Sequence, residues 1–463
     1  MNRQNPGRRT APHSAAKAEL ESVLMANPAI EFVDAAIADI SGALRGKRIA
    51  VADAPKLFEH GMQIPLSLHL MDVRGEMMNP GGRGYSDGDP DGTAWPIAGT
   101  VTEVWGSDPP RAQMLMSLCD TAGAPLFYDP RTILERVLRR FSELDLVPVA
   151  AHELEFYLID SERDKNSRPQ PPRSPLDGVR ENTHSVYGLQ ELDRHQRFLT
   201  ALSHAAALQR VPITATSKEY APGQFEANLR HQTNALAASD HAVFLRQIVR
   251  AAAAEENSRA TFMSKPYADR SGSGQHVHIS LTDVQGRNIF DDGTKEGSEA
   301  LRFAIGGLAK LMPESMAFFA PNLNAYRRFQ PDMFAPVNRR WGINNRSAGL
   351  RIPVGPSDAR RIEHRCAGAD ANPYLVMAAI LAGIHHGLVN RIDPGPPATG
   401  NVSRDRDSAL PFALGRALDL LENAQVLPAY FGADAVTLYR QTKAEELTRF
   451  RRIITAEEYD WYL

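Results

Sequence analysis

Cysteine is scarce. Cys119 and Cys366 are the only two in 463 residues, and no CxxC pair exists. A disulfide framework and a thiolate zinc site are therefore excluded, and a reducing, cytoplasmic setting is expected. Long apolar runs are missing too. The greasiest stretch, LVMAAILAGI at 375–384, runs into His385 and His386 and is too short to cross a bilayer. It reads as a buried helix, and no membrane partner is expected. Charge of neither sign dominates: a formal net charge of −3 gives no whole-molecule attraction to nucleic acid or to an anionic surface. The first twenty residues, MNRQNPGRRTAPHSAAKAEL, are basic but lack an apolar core, which argues against a secretory signal and for a frayed terminus. No GxxxxGK[ST] loop occurs, and PGGRG at 80–84 is too generic for a dinucleotide fingerprint. A nucleotide, if bound, is held another way.

What is present suits a soluble globular chain of two or three domains, with 43% hydrophobic and 23% charged residues. Residues 16–26 read as a helix, and EFVDAAIADI and KRIAVAD as strands joined by the turn SGALRG. The Gly-, Asp- and Pro-rich segment 79–96 suits a long loop. Pro130 opens a helix with apolar Ile133, Val137, Leu138 and Phe141, and a boundary is placed there, giving parts 1–129 and 130–463. Further helices are expected over 193–209, 239–256, 298–311, 373–389, 411–423 and 433–453, interleaved with short strands. That order indicates an α+β fold.

Four strand-like segments carry a chemical face. In HELEFYLID, 152–160, Leu154, Phe156 and Leu158 alternate with Glu153, Glu155 and Tyr157. Two carboxylates on one side of a strand stand roughly 7 Å apart and repel unless something positive lies between them. GSGQHVHISL, 272–281, sets His276, His278 and Ser280 against an apolar side; RRIEHRCAG, 360–368, sets out Arg361, Glu363 and Arg365. In EYAPGQFEANL a Pro-Gly turn separates Glu219 from Glu226. A solvated strand face would explain any one of these, but exposed faces usually carry Lys, Thr and mixed charge rather than Glu, His and Arg.

If Glu153, Glu155, Glu219, Glu226 and Glu363 converge with His276, about five negative charges need bound cations, and two divalent ions return four. Oxygen-rich ligation with one imidazole suits Mg²⁺ or Mn²⁺ rather than zinc or copper. A second set is cationic: Arg328, Arg346, Arg351, Arg361 and Arg365. Guanidinium forks beside a metal pair suit phosphoryl transfer, whereas surface ion pairs are the plainer alternative. Paired carboxylates also occur in glycosidases, but five glutamates and an arginine set fit that chemistry poorly.

The motifs ELEFY, EYAPGQFE, GSGQHVHIS, NAYRRF, NNRSAGLRIP, RRIEHR and ANPYL resemble, in order and spacing, those of type I glutamine synthetases, from about residue 31 to the C-terminus. The resemblance implies an N-terminal β-grasp domain followed by a catalytic domain with a curved antiparallel sheet and surrounding helices. It implies Glu155, Glu219 and Glu226 as ligands of a first metal, and Glu153, His276 and Glu363 of a second. His278, Arg351 and Arg361 match nucleotide-phosphate contacts, and Ser280 a position near the nucleotide. Arg328 and Arg365 match arginines around the glutamate carboxylate and the transferred phosphate, and Arg346 one that stabilises the transition state. Gly272 falls in the loop that covers glutamate, with Ser271 where the family has Asn. The assembly implied is a homo-oligomer, a hexamer or a dodecamer of two hexameric rings. No tyrosine in 391–410 offers an adenylylation acceptor.

Two positions depart from glutamine synthetase proper. Pro65 in GMQIPLSL and Phe334 in PDMFAP stand where that enzyme has the acids that hold ammonium. Without them a small hydrated cation loses its main attraction, while an aromatic face suits an alkylammonium. Together with ATFMSKPY, RRFQPDMFAP and GADANPYLVMAAI, this resembles the γ-glutamylpolyamine (γ-glutamylputrescine) synthetase branch. The implied enzyme is an ATP-dependent ligase joining the γ-carboxylate of L-glutamate to a primary amine, putrescine or another polyamine, through γ-glutamyl phosphate. Asp72, and less so Asp87 or Asp89, could meet a distal ammonium. An apolar distal pocket would instead indicate a monoamine such as ethanolamine or a small hydrophobic amine; ordinary glutamine synthesis ranks lower, and a catalytically dead relative is disfavoured by the intact metal and phosphate positions.

Overall fold

Two sheets organise the chain, which a computed structural model describes over residues 11–463. The first takes its strands from the opening third: β1 (Phe32–Ala38), β2 (Leu44–Ala50), β3 (Met62–Pro65), β4 (Asp91–Pro96), β5 (Thr102–Glu103) and β6 (Arg111–Cys119). Its order is β2-β1-β6-β4-β3, with β5 on β6. The pair β1/β6 is parallel and β1/β2 an antiparallel hairpin. The hairpin turn is tighter than the sequence reading has it. Asp39 takes the amides of Ser41 and Ala43, so Leu44, Arg45 and Gly46 join the strand.

The second sheet holds β7 (Leu146–Asp160), β8 (Ile213–Lys218), β9 (Gln224–Leu229), β10 (Ser258–Thr261), β11 (Gln275–Asp283), β12 (Trp341–Ile343), β13 (Leu350–Ile352) and β14 (Ile362–His364). Its order is β12-β13-β14-β11-β7-β9-β8, with β10 also on β7. It is antiparallel except at β12/β13, which run parallel. Leu154, Phe156, Leu158, Phe225 and Ala227 are buried on one face against the helix Gln196–Leu208 and the helix Ala235–Ala253. The alternation in the sequence thus leaves the other face to Glu, His and Arg.

Several expectations need correction. The segment 79–96 is not all loop: it ends in β4, whose Thr93 to Pro96 pair with Cys119 to Met116 on β6. The expected frayed terminus lies partly outside the described residues, and from Ala11 the chain is helical to Ala26. The helix expected over 193–209 is two, Leu189–Arg194 and Gln196–Leu208, broken at His195, whose ring is drawn between two carboxylates. The helix expected to stop at 311 continues to Phe319 through Pro313. Proline frees the carbonyl four residues earlier. Here that oxygen, on Ala309, accepts from Arg339 Nη1 at 3.4 Å.

The apolar core does not divide at residue 130. One cluster runs from Leu20 and Val33 through Ile133, Val137 and Phe141 to the helix Pro373–Asn390 and on to Leu447. The helix Pro373–Asn390 is long and apolar enough to cross a membrane, yet 78% of it is buried inside the fold. Its N-terminus is fixed by Asn372, whose side chain takes the Tyr374 and Leu375 amides and donates to Asp39 O in the turn between β1 and β2.

Candidate active site

Strand register brings the chemical residues together. Glu155 lies directly opposite Glu226 across β7/β9, and Glu153 opposite His276 across β7/β11. His278 is opposite Glu363 across β11/β14, and Glu363 opposite Arg351 across β14/β13. Five strands thus present one continuous polar row. His276 is its centre: Nδ1 is 3.7 Å from Glu153 and 3.9 Å from Glu363, and Nε2 is 3.8 Å from Glu155. These distances are too long for hydrogen bonds and leave room for a shared cation.

Two sets of ligating atoms fall within 4.8 Å of one another, Glu153/His276/Glu363 and Glu155/Glu226/His276. The first set is the trio that the family resemblance assigns to the second metal. The other contains two of the three residues assigned to the first metal. Glu219 stands just outside it, on the turn leading into β9, where its amide donates to Gln224 O at 2.8 Å. The turn needs glycine at 223: its φ is +72°, and a Cβ there would meet Leu158 O at 2.5 Å and Pro172 Cδ at 2.7 Å.

Charge supports a cation site. Two carboxylate charges within 4.8 Å of each other cost roughly 3 kcal/mol or more at an effective dielectric near 20. Burial, then the repulsion of Glu155, pushes Glu219 up to about 7. Burial and the charges of Glu153, Glu155 and Glu219 push Glu226 well above the carboxylate range. On the other side burial is outweighed. His278 and His276 hold Glu153 well below its ordinary value, and Arg365, His278, His276 and Arg351 bring Glu363 down to about 2. The Glu155/Glu219/Glu226 side is therefore anion-rich, with Lys218 and Arg346 offsetting its charge only in part, while the Glu153/Glu363 side is more fully compensated. Hard oxygen donors with a single imidazole fit Mg²⁺ or Mn²⁺.

The arginines frame this row. Arg351 Nη1 donates to Glu363 Oε2 at 2.6 Å, and Arg365 Nη1 to Glu363 Oε1. Among the described residues, the buried Nε atoms of Arg351 and Arg365 have no partner. Buried donors without acceptors are costly, and an anionic ligand would satisfy them. Arg361 Nε donates to His278 Nδ1 at 3.0 Å, so His278 carries its proton on Nε2, which is 2.9 Å from Glu153 Oε1. Arg328 is buried, with its fork on the carbonyls of Cys366 and Arg365 at 2.9 and 3.0 Å. Arg346 is exposed, and its charge is among those acting on Glu219. Ser280 shares the face of His276 and His278, half-buried.

Ser271 and Gly272 are held by two motif residues to which the resemblance assigns no role. Tyr157 Oη donates to Ser271 O at 2.7 Å, and Gln224 Nε2 to Gly272 O at 3.1 Å. Tyr157 shares the polar face of β7, a signal visible in the alternation. A Cβ on Gly272 would lie 2.5 Å from Arg328 Cγ, so only glycine lets these two segments meet.

The positions read as an amine pocket do not gather with the metal residues in the same way. Pro65 ends β3 in the first sheet. Asp72 is buried and already engaged by the amides of Arg74 and Glu76 and by the guanidinium groups of Arg74 and Arg449. Asp87 and Asp89 accept the backbone amides of Gly84 and Ser67 respectively. Phe334 is 67% exposed, with φ 54°, and lines a cavity of about 300 Å³ with Ala335, Pro336, Asn345 and Asn401. One acid, Asp332, shares that cavity. Its two oxygens are taken by Ser403 at 2.7 Å and Arg404 at 2.8 Å.

Residues 127–462 match the glutamine synthetase catalytic domain family. The chain belongs to that family. It is 40% identical over 451 residues to gamma-glutamylputrescine synthetase PuuA of Escherichia coli (strain K12), covering 97% of this chain and 95% of that one. It is 30% identical over 447 residues to glutamate–isopropylamine ligase of a Pseudomonas species, covering 94% and 95%. Among solved structures, a GmaS/ADP complex superposes with a TM-score of 0.82 at 26% identity, over 96% of this chain and 99% of that one. The fold is thus that of the glutamine synthetases, as the motif series implies.

Proposed function

We propose that this glutamine synthetase family member is an ATP-dependent ligase that joins the γ-carboxylate of L-glutamate to a primary amine, with putrescine or a related polyamine as the favoured acceptor. The observation that carries this reading is the row Glu226–Glu155–Glu153–His276–Glu363 beside two arginines whose buried Nε atoms find no acceptor among the described residues. Divalent cations, when bound by Glu153, His276 and Glu363 and by Glu155, Glu219 and Glu226, neutralise charge on the transferred phosphoryl group. Arg328, Arg346 and Arg365 are assigned to glutamate and the moving phosphoryl group; His278, Ser280, Arg351 and Arg361 are assigned to the nucleotide.

The reaction has two steps. A γ-carboxylate oxygen of glutamate attacks the terminal phosphorus of ATP, and ADP leaves. The amine nitrogen then attacks the acyl carbon, phosphate departs with the C–O bond electrons, and the nitrogen loses a proton to become an amide. The residues' contribution is to hold the acyl phosphate against the amine and away from water.

Amine preference follows from Pro65 and Phe334, which bring no negative charge where ammonium would need it, and from the likeness to a gamma-glutamylputrescine synthetase. The engaged carboxylate of Asp72 gives a distal ammonium no free partner, so a monoamine is the second reading. The likeness to an isopropylamine ligase favours that alternative. The proposal extends to a cytoplasmic homo-oligomer of one or two rings, for which exposed Ile453, Ile454, Trp461 and Leu463 provide apolar surface to cover. It also keeps the division into 1–129 and 130–463, supported by the two separate sheets although the apolar core is shared.

Glutamate-dependent phosphate release with ATP and Mg²⁺ tests it against ammonium, putrescine, spermidine, ethanolamine and isopropylamine. Putrescine or spermidine should lead. Isopropylamine or ethanolamine in the lead selects the monoamine reading, and ammonium matching the best amine overturns the use made of Pro65 and Phe334.

A further inference from the structure

Beneath the turn that carries Glu219 lies a buried ionic network that touches none of the candidate ligands' side chains. His195, fully buried where one helix ends and the next begins, has Nδ1 2.7 Å from Glu256 Oε2 and Nε2 2.6 Å from Glu181 Oε1. An ionised carboxylate only accepts, so both ring nitrogens must donate and the ring is an imidazolium. Burial disfavours that cation, but the hydrogen bonds to Glu181 and Glu256 prevail and raise it to about 9.

Each carboxylate uses its second oxygen elsewhere. Glu256 Oε1 accepts the Phe198 amide at 2.8 Å, which fixes the network to the start of the helix Gln196–Leu208. Glu181 Oε2 accepts the Gly223 amide at 2.6 Å. Gly223 stands between Glu219 and Glu226, in a backbone conformation that few other residues adopt. The same turn is gripped from its other side by the buried Lys218 Nζ, which donates to Ala221 O at 2.6 Å and to Glu219 O at 3.1 Å. A charged clamp on each side of one short turn is more than solvent exclusion requires, and the object held is the segment joining two candidate ligands.

We propose that Glu181, oriented by His195 from the core, is a positioning residue for the metal site: it clamps the Gly223 amide and thereby holds the turn that joins Glu219 to Glu226 in place beside Glu155. This rests on the metal reading above and adds a determinant that the motif series does not contain. Removing a partner that orients metal ligands weakens metal binding by about 10-fold to 100-fold. A purely structural role would lower the melting temperature without that loss.

The test is Mn²⁺ titration of the full chain, followed by the electron paramagnetic resonance signal of free Mn²⁺, alongside thermal melting. Glu181→Ala should weaken Mn²⁺ binding about 10-fold or more. Glu181→Gln, whose amide oxygen still accepts from Gly223, should recover most of it. His195→Gln, which keeps Glu181 but frees it, should weaken binding in the same direction, and it reads the role if Glu181→Ala does not fold. Asp240→Asn breaks another buried network, with Arg131 and Tyr374, that does not reach the turn. It should lower the melting temperature with Mn²⁺ affinity unchanged. Wild-type affinity in Glu181→Ala or, failing that, in His195→Gln overturns the proposal, as does an equal loss in Asp240→Asn. A wild-type chain that binds no Mn²⁺ overturns the metal reading itself, which is a distinct result.

Discussion

Replacing Glu219 by glutamine should stabilise the metal-free protein while abolishing its response to metal. Folding moves this carboxyl from an ordinary value of 4.5 to about 7, by burial and then by the charge of Glu155. The folded state thus holds a proton that the unfolded state has released between those values. Stability falls as pH rises through that window and stays low above it. The difference, 7 − 4.5 = 2.5, corresponds to about 3 kcal/mol at pH 8. For a chain of this length that is a melting shift of about 3 °C. The assay is thermal melting in EDTA from pH 5 to 8, repeated with Mg²⁺. Wild type should lose stability between pH 5 and 7 in EDTA and regain it with Mg²⁺. Glu219→Gln should melt higher at pH 8 in EDTA and gain little from Mg²⁺. A variant that melts lower than wild type at pH 8 in EDTA would refute the electrostatic argument.

Other predictions follow from the same geometry. His195 is raised from 6.5 to about 9 by Glu181 and Glu256 against the cost of burial, so it contributes up to about 3 kcal/mol, in full below pH 6.5 and lost as pH passes 9. Chemical denaturation at pH 7 and pH 9.5 should show that loss in wild type and not in His195→Gln. Gly272→Ala places a Cβ 2.5 Å from Arg328 Cγ and 2.7 Å from Ser264 O, a clash costing about 1–3 kcal/mol. Steady-state kinetics should show a raised KM for glutamate with KM for ATP little changed. Phe334→Glu returns an anion to the amine pocket and should raise kcat/KM for ammonium about 10-fold; no change would mean that Phe334 does not face the acceptor.

The candidate ligands were legible because strand alternation sorts side chains by face. Glu153 and Glu155, His276 and His278, and Arg361, Glu363 and Arg365 each stand two apart, and a period of two needs no tertiary knowledge. Register was not legible. Nothing local says that Glu155 pairs with Glu226 or that Glu363 lies between His278 and Arg351, and it is register that builds the site. The strand β4 was missed because Asp91 and Gly92 read as turn, although their neighbours lock onto β6. The helix through Pro313 was cut short because the acceptor of the freed carbonyl, Arg339, comes from far along the chain. The His195 network left no motif at all: Glu181, His195 and Glu256 are spread over three segments and share only burial. Asp72 is a case of a partner that the sequence does not show. Its sequence neighbours gave no hint that Arg449, near the other end of the chain, would take its charge.

The central claim is a choice of nitrogen donor, and one competition measures it. With ATP, Mg²⁺ and glutamate, equal concentrations of [¹⁵N]ammonium and putrescine are supplied in a single reaction, and the amide products are resolved by mass spectrometry. The account predicts γ-glutamylputrescine in at least about 10-fold excess, the factor that 1.4 kcal/mol of transition-state preference gives. [¹⁵N]glutamine in equal or greater amount would contradict it.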